Sequence, residues 1–149
     1  MTSTILIREI PAAAVYSVRQ PVLRPGRPLT ECIFEGDSSE KTFHLGLFMD
    51  GNLIGVASFM QNSNPLFNEK GQYQLRGMAV LPEYKGQGFG ASLLIEGEEK
   101  LKKLVEKPFL WFNARDAAIG FYEKFGYKTK GEKFDIPGVC LHIVMFKQL

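Results

Sequence analysis

The sequence predicts an α/β fold: a mixed, mostly antiparallel sheet with helices packed on it. Two pairs of strand-like runs are joined by tight-turn residues, Asp50-Gly51-Asn52 and Pro137-Gly138, and such hairpins impose antiparallel pairing. Between them, residues 73–112 read strand, glycine-rich loop, helix, strand, a unit whose two strands run parallel or splayed. At Gly90 the apolar pattern changes from period two to helical spacing, so helices have to pack on the sheet.

At 149 residues the chain is long enough for one domain, 1–149, with a real core. Hydrophobic residues at 45% and charged residues at 23% are ordinary values for a water-soluble domain. Eighteen Lys and Arg against 16 Asp and Glu give a formal charge of +2, and no basic block tracks a phosphate backbone, so no nucleic-acid partner is expected. No run of 18 apolar residues exists, and the interrupted apolar N-terminus does not read as a signal peptide; no membrane partner is expected. Cys32 and Cys140 have neither metal-ligand spacing nor a disulfide framework, which predicts no metal and a reducing, cytoplasmic setting.

Taken in order, residues 4–10 alternate as a first strand. Pro11 suits the first turn of a helix reaching about Gln20, with Ala14, Val15 and Val18 on one face, and Pro21 is expected to stop it. Residues 24–28, Arg-Pro-Gly-Arg-Pro, read as loop. Arg19, Arg24 and Arg27 are either a solvated surface or a basic rim attracting an acidic acceptor or a cofactor phosphate. Residues 43–49 and 53–60 form the first hairpin, residues 62–71 a loop, and residues 73–80 a strand whose Met78-Ala79-Val80 end reads as buried on both faces.

In the helix from Gly90, Leu94, Gly97, Leu101 and Leu104 share a face. Glu96–Lys100 and Glu99–Lys103 are favourable i,i+4 pairs opposite it. Gly97 on that stripe sacrifices about 1 kcal/mol of helix propensity, which a close approach to the sheet would explain. Pro108 ends the helix, and residues 109–112 form a short buried strand. Asn113 reads as the N-cap of a helix burying Ala118, Phe121, Tyr122 and Phe125, with Asp116 in its first turn and Gly126 just past its end. Residues 127–134 and 141–147 complete the sheet.

The loop Lys85-Gly86-Gln87-Gly88-Phe89-Gly90 between a strand and a helix is a phosphate cradle: bare backbone N–H groups and the positive end of the helix dipole point at an anion. The triphosphate loop G-x-x-x-x-G-K-[ST] is absent. Gly86, Gly88 and Ala91 formally satisfy the dinucleotide pattern G-x-G-x-x-[GA], but after a hairpin rather than in the first strand–helix turn of a parallel repeat.

With its neighbours, this loop resembles the acyl-CoA pyrophosphate loop, [QR]-x-x-G-x-[GA], of the GNAT superfamily of N-acetyltransferases. The run Gly77 to Tyr84 is similar to that family's strand and the V-x-P-x-Y segment after it. Asn113-Ala114-Arg115 and Phe121-Tyr122-Glu123-Lys124-Phe125-Gly126-Tyr127 resemble its N…A…FYxKxGF block, in the family's order and spacing over roughly residues 43–147. Within the superfamily, His44-Leu45-Gly46 and residues 137–145 look most like the ElaA-like group. The resemblance implies six to seven strands splayed around an acyl-CoA site, with helices on both faces.

It further implies an acetyl-CoA-dependent N-acetyltransferase acting on a small-molecule or peptide amine. The acetyl group would pass by direct attack in a ternary complex. Backbone groups of Gly86, Gln87, Gly88, Phe89, Gly90 and Ala91 would hold the pyrophosphate, and Lys85, where the family usually has Gln or Arg, would add charge but not a planar fork. Met78, Ala79 and Val80 would pair with the pantetheine amides as with an added strand, and an N–H there would hold the developing oxyanion. Asn113 is a helix cap or also a cofactor contact.

By the same resemblance Tyr122 is the acid that protonates the departing thiolate; on its apolar spacing alone it is core. Where many relatives carry a strand carboxylate, this chain has Gln74 and Arg76, so the base is open among His142, His44, Glu31 and a water relay. That gap keeps a second reading, a catalytically silent acyl-CoA-binding domain. A homodimer is left open beside a monomer.

Overall fold

The computed structural model describes residues 2–149. Its elements are β1 (Ile5–Ile10), α1 (Tyr16–Leu23), β2 (Thr42–Met49), β3 (Asn52–Gln61), β4 (Gln72–Val80), α2 (Phe89–Leu104), β5 (Phe109–Arg115), α3 (Ile119–Glu123), β6 (Lys128–Ile136) and β7 (Cys140–Gln148). The seven strands form one sheet in the order β1-β2-β3-β4-β5-β7-β6. All neighbours pair antiparallel except β4 and β5. Asp50 and Gly51 both take positive φ, the geometry of a two-residue turn that matches strand twist, and β2 folds onto β3 through them.

Side chains alternate across β3 and β4 and bury two separate layers. Leu45, Leu47, Ala57, Phe59 and Leu75 pack under Leu93, Leu94 and Leu101 of α2. Val56 and Ala79 face the other way, against Val15 and Val18 at the start of α1. Helices therefore cover both faces. Gly97 is the contact point of α2: a Cβ there would run into the Phe59 ring, the close approach its sequence position implied. Beside it Glu98 is buried and accepts from the Tyr127 hydroxyl at 2.6 Å and from Lys147 Nζ at 3.1 Å, tying α2 to the far half of the sheet. No helix among the described residues is long and apolar enough to cross a membrane.

Several local expectations are corrected. Pro11 precedes a 3-10 turn (Ala12–Val15), and Pro21 lies inside α1, where its missing N–H weakens only the last turn. β4 is buried on both faces at Gln72–Leu75, not at Met78–Val80, because the second end borders a cleft. Leu104 is exposed at the end of α2. The two expected i,i+4 pairs do not form: Lys100 instead reaches Glu9 on β1 at 2.7 Å, and Glu99 meets Lys102. Asn113 caps nothing, since β5 continues through Arg115 and the helix begins later. That helix has one and a half turns, none of its residues is fully buried, and Phe121 is exposed.

Arg19 is not a surface arginine. It is wholly buried and donates to Asp37 Oδ2 (2.7 Å) and Oδ1 (2.9 Å), to the Cys32 carbonyl and to Ser58 Oγ. His44 completes the cluster: Nε2 donates to the Asp37 carbonyl at 2.9 Å, and Nδ1 meets the Ser58 hydroxyl at 2.6 Å. Burial alone would push the Asp37 carboxyl up. The Arg19 fork and the Phe34 N–H outweigh it and hold the carboxyl below its ordinary value. This network pins the segment between α1 and β2 onto β3.

Candidate active site

The parallel contact between β4 and β5 lasts three residues: Gln72, Tyr73 and Gln74 beside Phe109, Leu110 and Trp111. Beyond it the strands part, and a cleft of about 440 Å³ opens between residues 74–80 of β4 and 112–115 of β5. A β-bulge shapes the β4 wall. Ser58 pairs with Arg76 and Val56 with Ala79, so Gly77 and Met78 together oppose Ala57. Gly77 has φ +62°, and a Cβ on it would sit 2.9 Å from Arg19 Nε and 3.1 Å from the Phe34 ring. Only glycine fits this position, and an unpaired backbone segment faces the cleft there.

Lys85 stands at the cleft's rim, and the chain from Lys85 to Gly88 is solvent-exposed. Gly88 takes φ +82° as the N-cap of α2, with no side chain capping the helix, so the first N–H groups of a 16-residue helix are free for an anion. A Cβ built on Gly86 or Gly88 meets nothing within 4 Å, leaving the space above the loop open to a ligand. On the opposite wall Tyr122 packs on Phe112 with ring centroids 4.3 Å apart. Burial pushes its hydroxyl up to about 12, against the pull of Arg115.

His142, on β7 opposite Arg115, is buried and lines the same cleft. Its Nδ1 donates to the Cys140 carbonyl at 2.9 Å, which leaves Nε2 as the ring's accepting nitrogen. Phe134 stacks on the ring. The cleft is lined by Arg24, Arg76, Lys85 and Arg115 and by no carboxylate. No group of three or more His, Cys, Asp or Glu among the described residues is arranged to hold a metal ion.

Residues 12–127 match the model of the Acetyltransferase (GNAT) family. A Bacillus subtilis protein named Uncharacterized N-acetyltransferase YitI is 43% identical over 143 residues, 96% of this chain and 95% of its own. The chain belongs to the GNAT acetyltransferase family. Its fold is that of Escherichia coli ElaA, with TM-score 0.81 at 16% identity over 97% of this chain and all of that one. It is also that of the PaiA N-acetyltransferase of Thermoplasma acidophilum, solved in complex with coenzyme A: TM-score 0.67, 21% identity, covering 98% and 99% of the two chains. The chain is thus an acyltransferase on a GNAT fold.

Of the residues singled out in the sequence, Met78, Ala79, Val80, Lys85, Asn113, Tyr122 and His142 all line one GNAT cleft. Gly86, Gln87, Gly88, Phe89, Gly90 and Ala91 continue from its rim into the first turn of α2. Asn113 is exposed on the β5 wall. His44 and Glu31 are elsewhere: the first is enclosed in the Arg19 network, the second is paired on the surface with Arg27 at 2.7 Å. Sequence reasoning missed the bulge at Gly77, although an isolated glycine in a strand pattern is the usual sign of one. It also missed Phe34, which has no local signature.

Proposed function

We propose that this GNAT acyltransferase transfers the acetyl group of acetyl-CoA to a primary amine, by direct attack in a ternary complex. The observation that carries the reading is convergence: the open glycine loop, the bulged end of β4, Tyr122 and His142 border one cleft. The residues fit the cofactor, because the loop offers an uncapped helix N-terminus beside open space and Lys85 adds a cation at the rim. Acetyl-CoA supplies the activated thioester carbonyl.

Residues 86–91 bind phosphate through backbone N–H groups, and Met78, Ala79 and Val80 align the pantetheine arm strand-fashion. A backbone N–H of the bulge stabilises the charge that develops on the carbonyl oxygen. His142 Nε2 accepts the proton the amine must lose as its nitrogen bonds to the acetyl carbon. Tyr122 gives its proton to the sulfur as the C–S bond breaks, so the products are an N-acetyl amide and the CoA thiol. With its hydroxyl raised to about 12, Tyr122 keeps its proton at neutral pH.

Thermal shift with acetyl-CoA and mass detection of acetylated products from an amine library test this. Wild type is expected to be stabilised at millimolar acetyl-CoA. Gly88→Glu, which puts a carboxylate into the phosphate space, is expected to abolish that stabilisation. Absence of stabilisation in the wild type, or its survival in Gly88→Glu, overturns the assignment. Stabilisation with no product from any amine would mark a silent acyl-CoA-binding domain.

A further inference from the structure

Two arginines of the cleft have no part in the chemistry above. Arg24 ends α1 and Arg76 lies on β4, and both are half-buried. Both guanidinium groups lie over one aromatic ring, that of Phe34, at 4.5 Å for Arg76 and 5.7 Å for Arg24, and the buried Arg19 lies over the same ring at 4.0 Å; Arg24 also donates to the Leu23 carbonyl. Neither forms an ion pair among the described residues. Asp37 is nearby but committed to Arg19 in a two-pronged contact, and Glu35 is exposed and does not line the cleft. Of the three charges on that ring only Arg19 has its carboxylate; the other two, partly removed from water and facing a cleft without a carboxylate, repel each other until an anion arrives.

That anion is not the cofactor's phosphate on this geometry. The glycine loop and Lys85 belong to the α2 end of the cleft. Arg24 and Phe34 belong to the segment around α1, which packs on the opposite face of the sheet. We infer that Arg24 and Arg76, splayed over Phe34, form the acceptor subsite and select a small amine that bears a carboxylate. Arginine forks grip a carboxylate through two parallel N–H···O bonds, and the aromatic floor holds the guanidinium planes in place. A cleft of about 440 Å³ that also takes the thioester end of acetyl-CoA suits an amino-acid-sized acceptor. Burial and the neighbouring Arg19 both press the Arg76 guanidinium downward in pKa, a penalty that a bound carboxylate would relieve.

This inference rests on the N-acetyltransferase reading, and the experiment separates the two. Glycine, β-alanine and 4-aminobutyrate are each assayed against the matching carboxamide with acetyl-CoA, and 2-aminoethyl phosphate serves as a non-planar anion. The wild type is expected to favour at least one carboxylate over its amide by roughly ten- to hundredfold in kcat/KM, the range of a lost charge-assisted contact. Arg76→Gln and, independently, Arg24→Gln are expected to collapse that ratio toward one, while Arg76→Lys restores only part of it. A wild-type ratio at or below one overturns the inference, as does an unchanged ratio in both Gln variants or a preference for the phosphate. Should no amine in the set be acetylated, calorimetry of the N-acetylated carboxylates and amides against the CoA-loaded protein reads the same ratio, and equal or absent binding overturns it. Stabilisation by acetyl-CoA without carboxylate preference defeats only the acceptor assignment; no stabilisation defeats the reading beneath it.

Discussion

Gly77→Ala tests whether the bulge on β4 is held from behind by the buried arginine. An L-residue at φ +62° costs about 1–2 kcal/mol in the backbone alone. The new methyl would also lie 2.9 Å from Arg19 Nε and 3.1 Å from the Phe34 ring. Arg19 cannot swing aside, because its two terminal nitrogens make four hydrogen bonds to Cys32, Asp37 and Ser58. Overpacking against such a fixed neighbour adds about 1–3 kcal/mol. The total of roughly 2–5 kcal/mol corresponds to a fall in Tm of roughly 4–20 °C for a domain of this size. Gly86→Ala is the matched control. It carries the same kind of backbone cost at φ +80°, but its methyl meets nothing within 4 Å, so it should lose only about 1–2 kcal/mol. Urea or thermal unfolding of the two variants followed by circular dichroism measures the difference. If Gly77→Ala is no less stable than Gly86→Ala, within about 0.5 kcal/mol, the bulge is not braced by Arg19 and the account of the β4 wall fails.

Three further outcomes are expected. Tyr122→Phe should lower kcat by roughly 10²- to 10⁴-fold while leaving acetyl-CoA stabilisation intact, and a loss smaller than threefold would assign the ring to packing alone. Because the Tyr122 hydroxyl is raised to about 12, the wild-type rate should not fall through its ionisation at pH 8–10. For Asp37 the folded carboxyl is held below its unfolded value, so its stabilisation is complete above pH of about 4 and is lost as the pH falls through the lower folded value. Asp37→Asn should therefore flatten the acid limb of a pH–stability curve and, by leaving Arg19 buried and unpaired, cost roughly 3–5 kcal/mol at neutral pH. An acid limb as steep as that of the wild type would show that other carboxylates govern it.

What could be read from the sequence follows from the range of the forces involved. The β2–β3 hairpin was legible because Asp50-Gly51 fixes its own turn, and the course of α2 because its buried stripe repeats along one helix. Gly97 announced its contact with Phe59 through its misplaced helix propensity. Asn113 misled because a strand and an N-cap accept the same residue; the choice was made by pairing of β5 with β7, a contact between segments far apart in the chain. The same pairing holds α3 to a short helix and turns its expected buried stripe partly outward. Lys100 abandoned its helical partner for Glu9, again a choice only the tertiary neighbours could make.

The cleft divides along the same line. The wall proposed for the cofactor is one contiguous stretch, from the end of β4 through the glycine loop into α2, so the glycine spacing and the resemblance of its neighbours marked it in the sequence. The wall proposed for the acceptor is assembled from α1, the segment around Phe34 and β4, and each of Arg24, Phe34 and Arg76 is unremarkable where it stands in the chain. Reading the arginines by proximity in sequence grouped Arg19, Arg24 and Arg27. Folding gives the three different surroundings: Arg19 is buried under Phe34 and neutralised by Asp37, Arg27 is paired with Glu31 on the surface, and of the three Arg24 alone lines the cleft, where it joins Arg76. The division has a physical consequence. Neutralising Arg19 internally lets it brace Gly77 without competing for a ligand, and leaves the two uncompensated guanidinium groups beside it as the charge an acceptor would meet.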